Sequence, residues 1–242
     1  MTDAFEYVGS ELELFQAAVN WKQTIRRHIQ PFLHGHVLEV GAGIGGTTRV
    51  LHTGHEDSWT CLEPDPLMSA IIRSEIPEVE VVTGVLTDLP PDRLFDSIIY
   101  IDVIEHIKDD RFEIHNAAAH MRPGGHLIVL CPAHQWLFSP FDNSVGHFRR
   151  YSKAMFRALP PPELSERRML YLDSIGLFAS IANKFVLSQS LPTRRQISFW
   201  DICLVRASRV TDWCLRYSVG KSVLGVWQGQ GERVPTPEPA AG

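Results

Sequence analysis

The chain has 242 residues, 44% of them hydrophobic and 21% charged, with a formal net charge of −5. This is an ordinary soluble globular composition, and the length suits one domain with a sizeable core. No run of about 18 apolar residues exists, and residues 1–20 are acidic and interrupted by polar groups, so neither a transmembrane helix nor a signal peptide is expected.

Charge is unevenly spread. Residues 1–140 carry 9 Lys+Arg against 20 Asp+Glu, or −11, whereas residues 141–242 carry 14 against 8, or +6. The C-terminal part is either ordinary solvated surface or faces something anionic, such as a phosphorylated substrate or a membrane. Cys61, Cys131, Cys203 and Cys214 form no C-x-x-C pair and read as reduced, which fits a cytoplasmic protein.

Residues 10–30 read as an amphipathic helix. Ser10 and Glu13 make a capping box, Leu12, Phe15, Val19, Trp21, Ile25 and Ile29 share one face, and Pro31 ends it. Val37, Leu38 and Val40 then suit a short buried parallel strand. The loop Gly41–Ala42–Gly43–Ile44–Gly45–Gly46 follows, leading into a helix from Thr47 whose first N–H groups point back at it. Gly41, Gly43 and Gly46 also satisfy the G-x-G-x-x-G of dinucleotide sites. Glu39 argues against that ligand, because a carboxylate here repels a pyrophosphate. It attracts an ammonium and a sulfonium instead, and S-adenosylmethionine (SAM) carries both.

Trp59–Glu63 is the second strand. Glu63 ends it, where a carboxylate can accept bonds from both ribose hydroxyls of an adenosine. Pro64 and Asp65 start a helix, with Pro66 near its first position. Val79–Val82 is the third strand, followed by Thr83–Gly84–Val85–Leu86–Thr87–Asp88. Phe95–Ile101, the fourth, runs into Asp102–Val103–Ile104–Glu105–His106, and ligands sit at the carboxyl ends of such strands. A helix over 109–121 is stopped by Pro123–Gly124–Gly125, and His126–Cys131 is the fifth strand.

Residues 132–152 read as a long functional loop without secondary structure of its own, containing Trp136, Phe141 and the run Gly146–His147–Phe148–Arg149–Arg150–Tyr151. That run can clamp a carboxylate or phosphate; alternatively, one arginine ion-pairs with an acid and orders the loop. Ser165–Leu172 is the sixth strand. Residues 174–189 and 196–218 read as helices, the second with Leu204, Ala207, Val210, Cys214 and Tyr217 on one face. Ser222–Trp227 is the final strand, and the Pro-, Glu- and Ala-rich residues from Gly229 are expected to be disordered. There is no internal repeat and no basic nucleic-acid motif.

The stretch Val37–Gly45, the acid Glu63, the segment Asp102–Ile107 and the Met–Arg–Pro–Gly–Gly turn before strand five together resemble class I SAM-dependent methyltransferases of the small-molecule type. The Glu105–His106 pair is similar to that of the polyprenyl quinone O-methyltransferase branch, and the G-H-F-R-R-Y-S run resembles a signature of one bacterial subgroup. The resemblance implies an α/β, Rossmann-like, doubly wound seven-stranded and mostly parallel sheet, with the last strand antiparallel beside the fifth. It divides the chain into a helical lid (1–35), the cofactor-binding core (36–172), a helical insertion completing a cap (173–219), the last strand (220–228) and the tail (229–242). It implies SAM as cofactor and no metal. Around SAM it places Glu39, Gly41, Ala42, Gly43, Gly45, Glu63, Pro64, Gly84, Val85, Leu86, Asp102 and Val103, with Asp88 reaching the adenine amine.

His106, then His147, with Glu105 beside them, are the candidate bases. Trp21, Trp136, His147, Arg149, Arg150 and Tyr151 are candidates for holding a small-molecule acceptor, with Tyr7, Phe15 and Asn20 near them. The expected reaction is O-methylation of a metabolite. C-methylation of an isoprenoid or prenyl phosphate is the alternative, with Trp21, Trp136, Phe141 and Tyr151 facing a carbocation and Arg149 and Arg150 an anion. A non-catalytic SAM-binding protein is a third reading. The insertion permits an acceptor wall, a dimer face or peripheral membrane contact.

Overall fold

The computed structural model describes residues 15–182 and 193–231. Seven strands form one sheet: β1 (His36–Val40), β2 (Ser58–Glu63), β3 (Glu80–Thr83), β4 (Phe95–Ile101), β5 (Met121–Pro132), β6 (Ser165–Leu172) and β7 (Ser222–Gln228). Their order is β3-β2-β1-β4-β5-β7-β6. The first five strands pair in parallel, and β7 runs antiparallel to both β5 and β6. This is the expected doubly wound sheet.

Alternation along the strands feeds two cores. Val37, Ile99 and Ile128 point to one face, where Trp21, Ile25, Trp59 and Trp200 pack. Leu38, Ile98, Tyr100 and Val129 point to the other, against Ile114, Tyr151 and Phe156. β5 starts five residues earlier than expected. Met121 pairs with Phe95 and His126 with Ser97, so Pro123–Gly124–Gly125 is a bulge inside the strand and not a stop before it. A Cβ on Gly125 would lie 3.0 Å from the Asp96 carbonyl oxygen, so the chain crosses here only as glycine.

The N-terminal helix is shorter than its pattern. Within the described residues it is α1 (Val19–Ile29); Tyr7, Ser10, Leu12 and Glu13 lie outside them. Val19 is 51% exposed, and Ala18 takes the core position instead. No local side chain caps α1. Asp201, some 180 residues away, accepts from the backbone N–H groups of Asn20 (3.1 Å) and Trp21 (2.8 Å) and from Asn20 Nδ2 (2.8 Å).

Short helices follow the glycine loop (α2, Thr48–Leu51) and β2 (α3, Pro66–Glu75), and α4 (Asp110–Ala119) joins β4 to β5. The 132–152 segment has structure of its own: a 3-10 turn at Gln135–Leu137 and α5 (Pro140–Ser144). After α6 (Lys153–Ala158) and β6 comes the insertion. Its first helix, α7, is described over Ser174–Ala182; the expected continuation to 189 lies outside the described residues, as does the tail beyond 231. Its second runs through α8 (Arg194–Phe199), one π turn (Trp200–Leu204) and α9 (Val205–Cys214).

Only the ends of the expected apolar face meet the core. Leu204 and Tyr217 pack against it, Ala207, Val210 and Cys214 are exposed, and Val205, Ser208 and Asp212 are buried. The inner face is polar and satisfied. Ser208 Oγ donates to Asp173 (2.7 Å), and Asp212 accepts from the Asp173 and Ser174 N–H groups (2.9 and 2.8 Å). The helix ends at Cys214, before the expected 218, because Arg216 and Tyr217 turn left-handed (φ +50° and +56°) and Tyr217 N–H bonds the Asp212 carbonyl at 2.7 Å. No described helix is long and apolar enough to cross a membrane.

Asp201 therefore ties lid to insertion. Asp201→Ala should cost about 2–3 kcal/mol, since it strands buried N–H donors, and Asp201→Asn should cost less. Urea unfolding followed by circular dichroism reads both; an unchanged midpoint for Asp201→Ala would remove the strap.

Candidate active site

β1 and β4 are neighbours, and the order of strands reverses between them. A crevice opens there at their carboxyl ends. Gly41 takes φ +68°, and a Cβ on it would lie 2.6 Å from Val103 Cγ2, so the two loops meet only across a glycine. Gly43 N–H donates to Glu63 Oε2 (2.7 Å) and Asp65 N–H to Glu63 Oε1 (3.0 Å). The acid ending β2 thus holds the glycine loop in place. Burial pushes the Glu63 carboxyl up, against the pull of those two donors.

The crevice is a cavity of about 1170 Å³. Small-molecule sites usually span about 300–1,000 Å³, so there is room for two ligands end to end. At one end it is lined by Gly41, Ala42, Gly43, Glu63, Pro64, Gly84, Val85, Leu86, Asp102 and Val103. Trp21 and Lys22 from α1 cover this end, and Lys22 Nζ donates to the Gln16 carbonyl at 2.9 Å. Burial lowers the lysine to about 8.

Three of the expected cofactor residues stand elsewhere. Glu39 lies behind the loop, outside the cavity lining, and its Oε2 accepts from Thr48 Oγ1 (2.7 Å) and Trp59 Nε1 (2.9 Å). Burial pushes it up to about 7. It braces the first turn after the loop. Gly45 faces α3, where a Cβ would lie 2.6 Å from Ile76 Cδ1. Asp88 accepts from Val85 N–H (2.9 Å) and so caps its own turn.

The far end holds an acid–imidazole cluster. Asp102 follows β4 with φ +55° and is exposed along the cavity wall. Glu105 is fully buried, its two carboxyl oxygens without a hydrogen-bond partner and the Cys131 thiol beside it. Burial, then Asp102, push Glu105 well above the usual carboxylate range. The His106 and His147 rings meet edge to face, 4.5 Å between centroids. Burial, then His147, lower His106 to about 3. His147 Nε2 lies 3.9 Å from Glu105 Oε1, and its Nδ1 lies 2.9 Å from Asp142 Oδ1. Glu105, His106 and His147 offer donor atoms within 4.8 Å of one another, a set that would also admit a cation.

Asp142 organises this end. Burial alone would raise it, but hydrogen bonds from His147 and Arg150 hold it well below the ordinary carboxylate range. Arg150 donates through Nε (2.7 Å) and Nη2 (2.9 Å), and Ser139 through N (2.9 Å) and Oγ (3.0 Å). Lys221, at the start of β7, also faces the cavity; its Nζ lies 3.6 Å from Asp173 and 3.8 Å from the centre of the Trp200 ring.

Three expected acceptor residues do not face the cavity. Arg149 pairs with Asp110 (2.5 Å) and donates to the Ile107 and Lys108 carbonyls, which is the ordering role. Tyr151 is fully buried, its hydroxyl donating to Asp110 (2.8 Å). Trp136 is half exposed beside His134. Trp21, His147 and Arg150 do line it. Asp142, Lys22, Lys221 and Trp200 were missed. Only Asp142 had a local signal, the Ser139-x-x-Asp142 helix start.

Residues 37–125 match the family model described as a methyltransferase domain. That span runs from β1 through the glycine loop to the Gly125 bulge of β5. The demethylmenaquinone methyltransferase of Tropheryma whipplei (strain Twist) is 30% identical over 146 residues, 58% of this chain and 60% of the relative's own length. Coclaurine N-methyltransferase bound to N-methylheliamine and S-adenosylhomocysteine (SAH) superposes with a TM-score of 0.60 at 15% identity, over 88% of this chain and 72% of that one. The cyclase SpnF gives 0.58 at 16%, over 89% and 82%. One sheet thus carries different chemistries, and function must be argued from the site.

Glu39 gives a stability signature. Its raised carboxyl favours the protonated folded state, so stability falls as pH rises from about 4.5 to 7, by about 3 kcal/mol, and is level above. Glu39→Gln keeps an acceptor for Thr48 and Trp59 and should flatten that slope in thermal melts. An unaltered slope would assign it to another group.

Proposed function

We propose that the protein is a SAM-dependent methyltransferase that transfers a methyl group to a hydroxyl of a small, largely apolar acceptor. The observation that carries this is one cavity with a glycine loop and Glu63 at one end and the Asp142–His147 pair at the other. The residues fit the cofactor. Glu63, at the end of β2, offers a carboxylate to a ribose, and Lys22 offers an ammonium to the amino-acid carboxylate.

When bound, SAM supplies an electrophilic methyl on a cationic sulfur. The chain's task is to hold the acceptor oxygen in line, keep water out and take its proton. His147 is better placed for the last step than His106. Asp142 Oδ1, 2.9 Å from Nδ1, orients the ring, and in the tautomer that donates to Asp142 the nitrogen that can take a proton is Nε2. His106, lowered to about 3, is a weak base and acts as a wall against the His147 ring. The relative named for demethylmenaquinone supports a lipophilic acceptor. The prenyl-phosphate alternative draws less support, because Arg149 and Trp136 do not reach the cavity.

Calorimetry with SAH, and NAD as control, tests the cofactor. Micromolar SAH binding is expected; binding no tighter than that of NAD would overturn it. Glu63→Ala should weaken SAH binding about 10- to 100-fold, and equal affinity would remove the ribose role. With hydroxylated aromatic acceptors, His147→Ala should lower kcat about 100-fold or more while sparing SAH affinity. Asp142→Asn should lower kcat less and shift the pH profile; full activity of His147→Ala would dismiss it as base.

A further inference from the structure

The outer face of the second insertion helix has no partner among the described residues. Phe199, Ile202, Val210 and Trp213 are 59%, 52%, 64% and 69% exposed. With Arg206 they recur at spacings of three and four residues across the π turn, which sets them along one stripe. Phe178 of the uncharged helix α7 is exposed as well.

Among the described residues the charge on this face has one sign. Between 194 and 214 the only acids are Asp201 and Asp212, both buried and both spent on backbone N–H groups. α1, which packs beside α9, has no acid at all. Arg206 and Arg209 bond only uncharged oxygens of Asn20 and Thr24. Burial, then Arg27 and Arg206, push Arg209 down, and Asp201 offsets this only in part; among the described residues neither Arg206 nor Arg209 makes an ion pair.

We propose that this face seats the protein on an anionic lipid bilayer. Large apolar side chains interleaved with arginines on a helix lying flat are what an interface-bound helix needs. The rings and aliphatic groups enter the acyl boundary, and the guanidiniums stay with the phosphates. A second copy of the chain fits poorly, because a two-fold contact would set this arginine cluster against itself. Phe199 also lines the cavity, so the bilayer would lie at the rim of the cleft. The inference stands apart from the catalytic reading, since vesicle binding is measured without turnover.

Co-sedimentation of the full chain with phosphatidylcholine vesicles, with and without phosphatidylglycerol, tests it. Binding should be at least about tenfold tighter to the anionic vesicles and should weaken as salt is raised. The double substitution Val210→Ser, Trp213→Ser should lose about tenfold or more, with an unchanged melting temperature. Arg206→Gln should lose about five-fold. No preference for anionic vesicles, or undiminished binding by the Val210/Trp213 variant, would overturn the proposal. So would a dimer in analytical ultracentrifugation that the Val210/Trp213 substitutions dissociate, which would make the face a protein contact.

Discussion

Everything in this molecule is arranged around the place where β1 and β4 lie side by side and their outgoing chains part. The chain leaving β1 turns back at once through glycines, and the chain leaving β4 turns through a left-handed aspartate. Neither covers the strand ends. The gap is permanent, because parallel pairing on both sides fixes the strands in register. The lid, the 132–152 segment and the insertion are three separate coverings of one opening.

Buried carboxylates hold those coverings in position. Asp201 receives the start of α1, Asp212 the turn after β6, Asp142 the histidine and arginine at the far end of the cavity, and Glu39 the turn after the glycine loop. Asp201 and Asp212 satisfy backbone N–H groups left open at helix starts, and Asp142 and Glu39 satisfy side-chain donors. A charge or dipole fixed this way aligns a segment more sharply than apolar contact, which tolerates sliding. That suits a cleft whose two ends must keep their distance.

The sheet was legible in the sequence because its signals are local. β4 and β6 fall on the expected residues, and Glu63 stands at the expected strand end. The cap was less legible. Its inner face is polar, so a search for apolar periodicity selected Val210 and Cys214, which point outward. Arginines 149 and 150 are adjacent and chemically alike, yet one orders a turn and the other faces the cavity. Only the partners Asp110 and Asp142 distinguish them. Glu39 sat in the right motif but faces the packing behind the loop, since Thr48 and Trp59, distant along the chain, claim its oxygen.

The π turn at Trp200–Leu204 amounts to one residue more than a regular helix would need there. Each residue of an α-helix turns the following ones by about 100°. A π turn spreads that residue over a wider turn, so the stretches on either side keep the phase of one regular helix. Taking one residue out of Trp200–Leu204 would therefore leave Ser208 and Asp212 facing inward, whereas taking one out of α9 would turn everything after it by about 100°. The wider turn is thus a place where the cap can gain or lose a residue without re-aiming the side chains that hold it.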